Sequence, residues 1–448
     1  MKTERRRNWI LAAFSGLALF LAGAVCWDMG GKISLSREKV LTIGFFSDSY
    51  WEVQNGYSYR ILDDAIRVFE ESHPDVKVRY TSGILKEDYS QWLAGQMLSG
   101  TAPDVFLVLG EDFNDYAAMG GLKNLTSRIE EDEEFHEEEF YSSALRAGQY
   151  HGVQYALPYE CAPKLMFVNR TILDQEGIEI PGQQWTWEDF YQICSQVTKD
   201  TDQNGGLDQF GVIGYTWEEA FESNGVSVFN EDGTQCSLTG TGVEAAIRLI
   251  ERMEQINGGM IASERDFDLG NVAFQPMSFS EFRAYKSYPL SVKKYSGFEW
   301  GCIPMPAGPQ GDNISTLDTL LVAMNERSRF PREAWELMKV LTADQEIQSE
   351  IFDYSEGVSV LRTVTESEET LKRLMESSGN PESLNLRILS DAVENAVVGY
   401  RFRGLSEAKA QVSQAVDAIM GEDSTIPTGQ IIWTRRINRF LNENQTEQ

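Results

Sequence analysis

Histidine is the scarcest proton- and metal-handling residue of this chain, with three in 448 residues. Cysteine is scarce too: five, widely spaced, with no CxxC pair. Zinc centres need clustered ligands, and the scattered cysteines and few histidines argue against a structural zinc site. The sequence has no G-x-S-x-G, no HExxH, no phosphate-binding loop and no G-x-G-x-x-G. The common signatures of α/β-hydrolases, metalloproteases and nucleotide enzymes are therefore missing. Positive charge is also short: 39 Lys and Arg against 69 Asp and Glu leave a formal charge of -30. Nucleic-acid binding needs a basic face to meet phosphate, so nucleic acid is excluded as a partner.

What the chain does have begins at its start. Arg5-Arg6-Arg7 precede an uncharged, mostly apolar run from Trp9 to Val25, and Ala22-Gly23-Ala24 fit a signal-peptidase site. Residues 1–25 are expected to be a leader, and 26–39 a polar tether. Cys26 follows directly and resembles the cysteine of a lipobox, although Val25 stands where that pattern carries a small residue. A lipid on Cys26, an uncleaved helix near the lower length of a membrane span and free secretion all place the body outside the cytoplasmic membrane. Four cysteines then remain, Cys161, Cys194, Cys236 and Cys302, either as buried thiols or in one or two disulfides.

The body opens with an alternating rhythm. Val40 to Ile43 is rich in β-formers. Ile61, Ala65, Val68 and Phe69 recur at helical spacing, and His73-Pro74 ends that helix. Val76, Val78 and Tyr80 alternate as a strand; Tyr89 to Met97 is a second helix; Val105 to Leu109 is a continuous apolar run suited to a strand buried on both faces. The order β-α-β-α-β predicts a parallel, doubly wound sheet, with ligands beyond the carboxyl ends of its strands. Those ends are Phe45 to Trp51 and Gly110 to Phe113. Further helical patterns cover Trp187 to Val197, Gly242 to Ile256, Pro331 to Thr342, Leu405 to Met420 and Trp433 to Leu441. The run Glu130 to Glu134, continued by Glu137 to Glu139, reads as a solvated face.

Several segments, taken in order, resemble one family. They are AIRVFEESHPDVKVRY (65–80), GTAPDVFLVL (100–109), AAMGGLKNL (117–125), the strand Leu157 to Asn169 ending in Val168-Asn169-Arg170, Trp185-Thr186-Trp187-Glu188-Asp189-Phe190, and Pro304-Met305-Pro306 with Gly308. Together they are similar to extracellular solute-binding proteins of sugar-type ABC importers, over about residues 40 to 445. The resemblance implies an α/β fold of two doubly wound lobes with a hinge and an interlobe cleft, of the type II periplasmic-binding-protein kind. It implies crossings near Tyr155 to Pro158 and Cys302 to Pro306. The first lobe would hold 40–157 and 304–340, the second 158–303 and 341–448. It also implies a monomer that captures a sugar or short oligosaccharide and delivers it to permease subunits, with no cofactor required.

Sugar recognition needs carboxylates, amides and hydroxyls for the hydroxyl groups, and aromatic rings for the C–H faces. The loop after the first strand supplies Ser47, Asp48, Tyr50 and Trp51; as a plain surface loop it would instead pack Trp51 on the lobe. Glu111 and Asp112 follow the third strand, where acids also suit a helix N-terminus. Tyr159 and Glu160 follow the first crossing, and Trp217 is as suited to a core as to a site. Ser278, Trp300 and Asp318 are placed by analogy with loops that line the family's cleft. Separately, Asp200, Asp202, Asn204, Gly206 and Asp208 have the spacing of the first part of an EF-hand calcium loop. Position twelve is Gly211, so the closing glutamate is missing. Weak structural calcium and a plain Asx turn both fit this loop.

Two other classes share these features. A secreted carbohydrate-active enzyme would also carry paired acids, and a ligand sensor for a membrane signalling system would share fold and cleft.

Overall fold

A computed structural model describes residues 38–51, 57, 59–258, 260, 262–287, 298–378, 386–421 and 425–446. The leader, Cys26 and the tether up to residue 37 lie outside the described residues. Among the described residues no helix is long and apolar enough to cross a membrane.

The first half follows the expected rhythm. Strand β1 (Lys39–Gly44) pairs in parallel with β2 (Val76–Tyr80) and β3 (Val105–Val108). Helices Arg60–Ser72 and Lys86–Ser99 make the crossovers. All four residues of β3 are buried, as its unbroken apolar sequence requires. Two side chains tie the strand ends together. The Asp104 carboxylate accepts from Thr42 N at 2.9 Å, Thr42 Oγ1 at 2.8 Å and Ser328 Oγ at 2.7 Å. The Tyr89 hydroxyl, wholly buried, lies 3.0 Å from Gly44 O and 3.1 Å from Leu107 O, spanning β1 and β3.

The remaining strands, in chain order, are β4 (Gln149–Tyr150), β5 (Val153–Gln154), β6 (Ala156–Asn169), β7 (Phe210–Val212), β8 (Val272–Ser278), β9 (Trp300–Ile303), β10 (Thr316–Met324), β11 (Val358–Ser359) and β12 (Val397–Val398). The main sheet runs β2-β1-β3-β10-β6-β8-β7. Strand β10 lies antiparallel between β3 and β6, a placement the sequence alone did not predict.

Strand β6 belongs to both lobes. Its residues 156–163 pair with β10, and 164–169 pair with β8 and β9. The first crossing is therefore at Pro163-Lys164, later than the expected Tyr155 to Pro158. The return is later too. Residues after β9 stay with the second lobe: Trp185 Nε1 donates to Pro304 O at 2.8 Å, and Ala307 N to Trp185 O at 2.9 Å. Gly308 approaches so closely that a side-chain carbon would sit 2.4 Å from Asn224 Oδ1. The Ser315 hydroxyl still donates to Lys164 O at 2.6 Å, and the chain re-enters the first lobe with β10, where Leu317 pairs with Pro163.

The division of the C-terminal half also differs from expectation. Residues 341–448 do not all join the second lobe. Ile347, Ile351, Phe352, Val358, Leu361, Leu389 and Val393 bury their side chains in the core that contains β1, β3 and β10. The second core takes Phe402 and helices Leu405–Gly421 and Ile426–Thr446 instead. A third crossing thus runs from β12, paired with β10, to Phe402. The four described cysteines are buried thiols in no disulfide, which removes the disulfide alternative.

Candidate functional site

The cleft between the lobes encloses a cavity of about 530 Å³, within the range of small-molecule sites. Its first-lobe wall is built at strand carboxyl ends. Tyr50 and Trp51 follow β1, Gly110 and Glu111 follow β3, and Lys86 opens helix Lys86–Ser99. Leu317, Asp318 and Thr319 of β10 form its base. Lys164 of β6 and Ser278, Ser280 and Glu281 at the end of β8 form the facing wall. The third crossing, Val398 to Arg401, closes the floor.

Tyr50 and Trp51 meet edge to face, ring centroids 4.7 Å apart. Lys86 Nζ donates to Tyr50 O at 2.7 Å and lies 5.1 Å from the Tyr50 ring centroid. Burial raises the Tyr50 hydroxyl well above its ordinary pKa, helped by the negative charges of Asp318, Glu160 and Glu111, so it is a neutral donor at any physiological pH. Asp318 is exposed where it lines the cleft, and the protein around the cleft removes part of its solvation. That enclosure raises its pKa, against the pull of Lys409 and Lys164.

Lys164 pairs with Glu219 beside the site, Nζ to Oε1 2.6 Å. Burial works against both charges, yet their attraction outweighs it: the Lys164 pKa rises and that of Glu219 falls. Glu219 also closes a capping box, accepting from Thr216 N at 2.8 Å and Thr216 Oγ1 at 2.6 Å. Arg401 donates to Gln149 O at 3.0 Å and stacks over Phe113 at 4.7 Å. Its burial lowers the guanidinium pKa to about 10.

Three buried polar atoms of cavity-lining residues make no hydrogen bond: Trp51 Nε1, Thr319 Oγ1 and Arg401 Nη1. A buried donor left unpaired costs about 1–3 kcal/mol. The Trp51 indole N–H faces Glu160 and Gly357, behind the cavity wall.

Of the residues singled out in the sequence, Tyr50, Trp51, Glu111, Ser278 and Asp318 line this cavity. Others do not, each for a local reason. Ser47 donates to Ile84 O, and Asp48 accepts from Lys86 N, holding the loop in place. Asp112 is buried against Ser90 and faces Arg403, with burial raising its pKa. Tyr159 packs edge-on against Phe45 inside the first core. Trp217 is in the second core, its Nε1 donating to Ser413 Oγ at 2.9 Å. Glu160 sits behind Trp51 and is discussed below. The Trp300 side chain lies outside the described residues, although its backbone pairs with Asn169. Lys86, Lys164, Thr319 and Arg401 were missed. Isolated cations and a threonine on a strand carry no pattern; the pairing of β6 with both β10 and β8 brings Lys164 and Thr319 to the site, and helix Lys86–Ser99 and the third crossing bring Lys86 and Arg401.

The acidic loop is a separate feature. Asp200, Asp202 and Asp208 each place an oxygen within 4.8 Å of the others. The same carboxylates accept backbone N–H groups of the turn: Asp200 from Gly205, Asp202 from Asn204, Asp208 from Thr201. Asn204 in turn accepts from Gly206 N. Such a network of Asx turns accounts for the convergence by itself.

Residues 50–348 match the family described as bacterial extracellular solute-binding proteins. Solved structures of similar shape include an ABC substrate-binding protein of Listeria monocytogenes in complex with cycloalternan, with a TM-score of 0.64 and 21% identity over 90% of this chain and 99% of that one. The sugar-binding protein MalE of Xanthomonas citri has a TM-score of 0.71 and 13% identity, over 91% and 98%. The cyclic alpha-maltosyl-1,6-maltose binding protein of Arthrobacter globiformis has 0.71 and 15%, over 90% and 99%. At these identities the likeness establishes the two-lobed fold.

Proposed function

We propose a function from one premise: the chain belongs to the family of bacterial extracellular solute-binding proteins. Within that family we assign it a sugar or short oligosaccharide, captured in the interlobe cleft and delivered to the permease of an ABC importer. The observation that carries this reading is the chemistry of the cavity wall. An aromatic pair, Tyr50 and Trp51, stands beside open carboxylates, Asp318 and Glu111. Hydroxyls both donate and accept, and C–H faces cover rings, so a carbohydrate satisfies all of these at once. The cited neighbours that bind cycloalternan or a cyclic maltosyl-maltose are consistent with it.

The body is held at the outer face of the membrane by its N-terminus, through a lipid on Cys26. The protein works as a monomer and catalyses nothing; its task is binding and release. A carbohydrate-active enzyme is disfavoured by family membership. A sensor would use the same cleft, and a permease encoded beside the gene argues for transport.

The test is a thermal-shift screen. A ligand that binds only the folded state raises the melting temperature by mass action. Cycloalternan, malto-oligosaccharides and manno-oligosaccharides form one panel, amino acids and short peptides the other. A shift confined to the second panel refutes the sugar reading.

A further inference from the structure

The lobes are joined by more than crossing strands. Helix Phe279–Ser287 follows the second-lobe strand β8, and its first turn, Ser280 and Glu281, lines the cleft, while its Phe279 and Phe282 are buried in the core that also holds Ile351, Phe352 and Leu374 of the first lobe. One turn along, Arg283 reaches the same first-lobe segment. Its guanidinium donates to Phe352 O at 2.7 Å, Gly357 O at 2.8 Å and Ile351 O at 3.3 Å. These acceptors lie on the first lobe, where the short helix Ile351–Tyr354 packs on helix Arg60–Ser72 and on β11. The guanidinium also lies 5.7 Å from the Phe352 ring centroid. Burial lowers its pKa to about 10, against the favourable charges of Glu356, Glu160 and Asp353. It remains charged at any physiological pH.

Gly357 is where this contact meets the binding wall. A side-chain carbon at Gly357 would sit 2.6 Å from Glu160 Oε2 and 3.0 Å from Trp51 Nε1. Glu160 accepts from Ser355 Oγ at 2.5 Å. Ser49 accepts from Trp51 N at 3.1 Å and donates to Glu356 at 3.2 Å. Segment 351–357 therefore forms the backing of Trp51, and a residue of the opposite lobe grips it through three carbonyls.

We propose that Arg283 is a positioning residue that sets the angle between the two walls of the cleft without touching what the cleft binds. A helix that lines one wall and a loop that supports the other share this guanidinium, beside the apolar packing of Phe279 and Phe282. Any rotation of one lobe about the crossings must stretch or break those hydrogen bonds. Three carbonyls in a fixed arrangement suit a planar fork of donors; a lysine ammonium, a point charge, cannot serve them together.

The test reads geometry in the absence of ligand, so its failure leaves the sugar reading untouched, and the reverse holds. Spin labels are placed on the full chain, in a Cys26→Ala background, at Glu130→Cys on the first lobe and Glu407→Cys on the second. Both positions are exposed, and the other native thiols are buried. Pulsed dipolar spectroscopy of the parent should give one narrow interlobe distance. Arg283→Met should broaden the distribution and shift it, and Arg283→Lys should do the same to a smaller extent. A role confined to stability would lower the melting temperature and leave the distance of the folded molecules unchanged. That result, a folded Arg283→Met superimposable on the parent, overturns the proposal. Should circular dichroism show Arg283→Met unfolded, Arg283→Lys decides, by the same criterion.

Discussion

Replacing Glu160 with glutamine should make the protein more stable at pH 8 while changing it little at pH 5. Glu160 is 4% exposed and lies in the middle of β6. Burial pushes its carboxyl from 4.5 to about 7. The Ser355 hydroxyl and the adjacent Trp51 indole N–H, which is not aligned well enough to complete a hydrogen bond, favour the ionised form; so does Arg283, while Glu356 opposes it. The sign follows from the raised value. Below about pH 4.5 Glu160 is protonated in both folded and unfolded chains and costs nothing. Between 4.5 and 7 the unfolded chain ionises first, so stability falls as pH rises; above about 7 the loss is complete. Each pH unit in that window is worth about 1.4 kcal/mol, so the full loss approaches about 3 kcal/mol. Glutamine keeps the shape and an acceptor for Ser355 but never ionises. Glu222 and Glu350, also pushed up to about 7 by burial, are common to both proteins and cancel in the comparison. The assay is urea unfolding of both proteins at pH 5, 6, 7 and 8. The difference in unfolding free energy should grow with pH by up to about 3 kcal/mol, less whatever the lost attraction to Arg283 removes. A difference constant across that range would refute the argument from burial.

Further outcomes follow from other contacts. Trp51→Ala and Asp318→Asn should each weaken binding of the carbohydrate identified by the thermal screen by about tenfold or more, the scale of an aromatic contact or a charged hydrogen bond; calorimetry showing wild-type affinity for both would remove them from the site. Lys164→Met should cost about 3 kcal/mol by leaving Glu219 buried without its cation, and a cycle with Glu219→Gln should show strong coupling in urea melts, whereas additivity would mean that the pair contributes little. Cys26→Ala should release the protein into the medium; continued membrane association would point to an uncleaved helix.

The parts of the fold that were legible in the sequence are those governed by local patterns. Periodicity marked β1, β2, β3 and the helices between them, because burial of one face dictates spacing. Trp187–Val197 was bounded correctly since Thr186 and Asp189 form a capping box that the sequence displays. The strand-end rule located Tyr50, Trp51 and Glu111. Proximity across the chain was not legible. Nothing near Asp318 indicates that β10 enters between β3 and β6, and nothing around Gly399 to Arg401 marks a floor. Aromatic residues beside acids were misleading where the aromatic was a core residue, as with Trp217 and Tyr159. The segment 341–396 was assigned to the wrong lobe, since an amphipathic helix pattern states that a face is buried but not against which neighbour.

The central position of β10 has a bearing on how the chain acquires its structure in time. As synthesis proceeds, β1, β2 and β3 can pair early, but the free edge of β3 must wait for the strand that carries Leu321, which pairs with Val108. Until Thr316–Met324 has been made, β3 and β6 each keep an open edge, and β6 cannot complete its pairing on the first-lobe side. Contacts of such long sequence separation form slowly, because the intervening loop must be closed before they contribute. A nascent chain of this design therefore stays loosely organised through most of its length. An export channel that threads unfolded polypeptide would meet a substrate not yet locked into its final form.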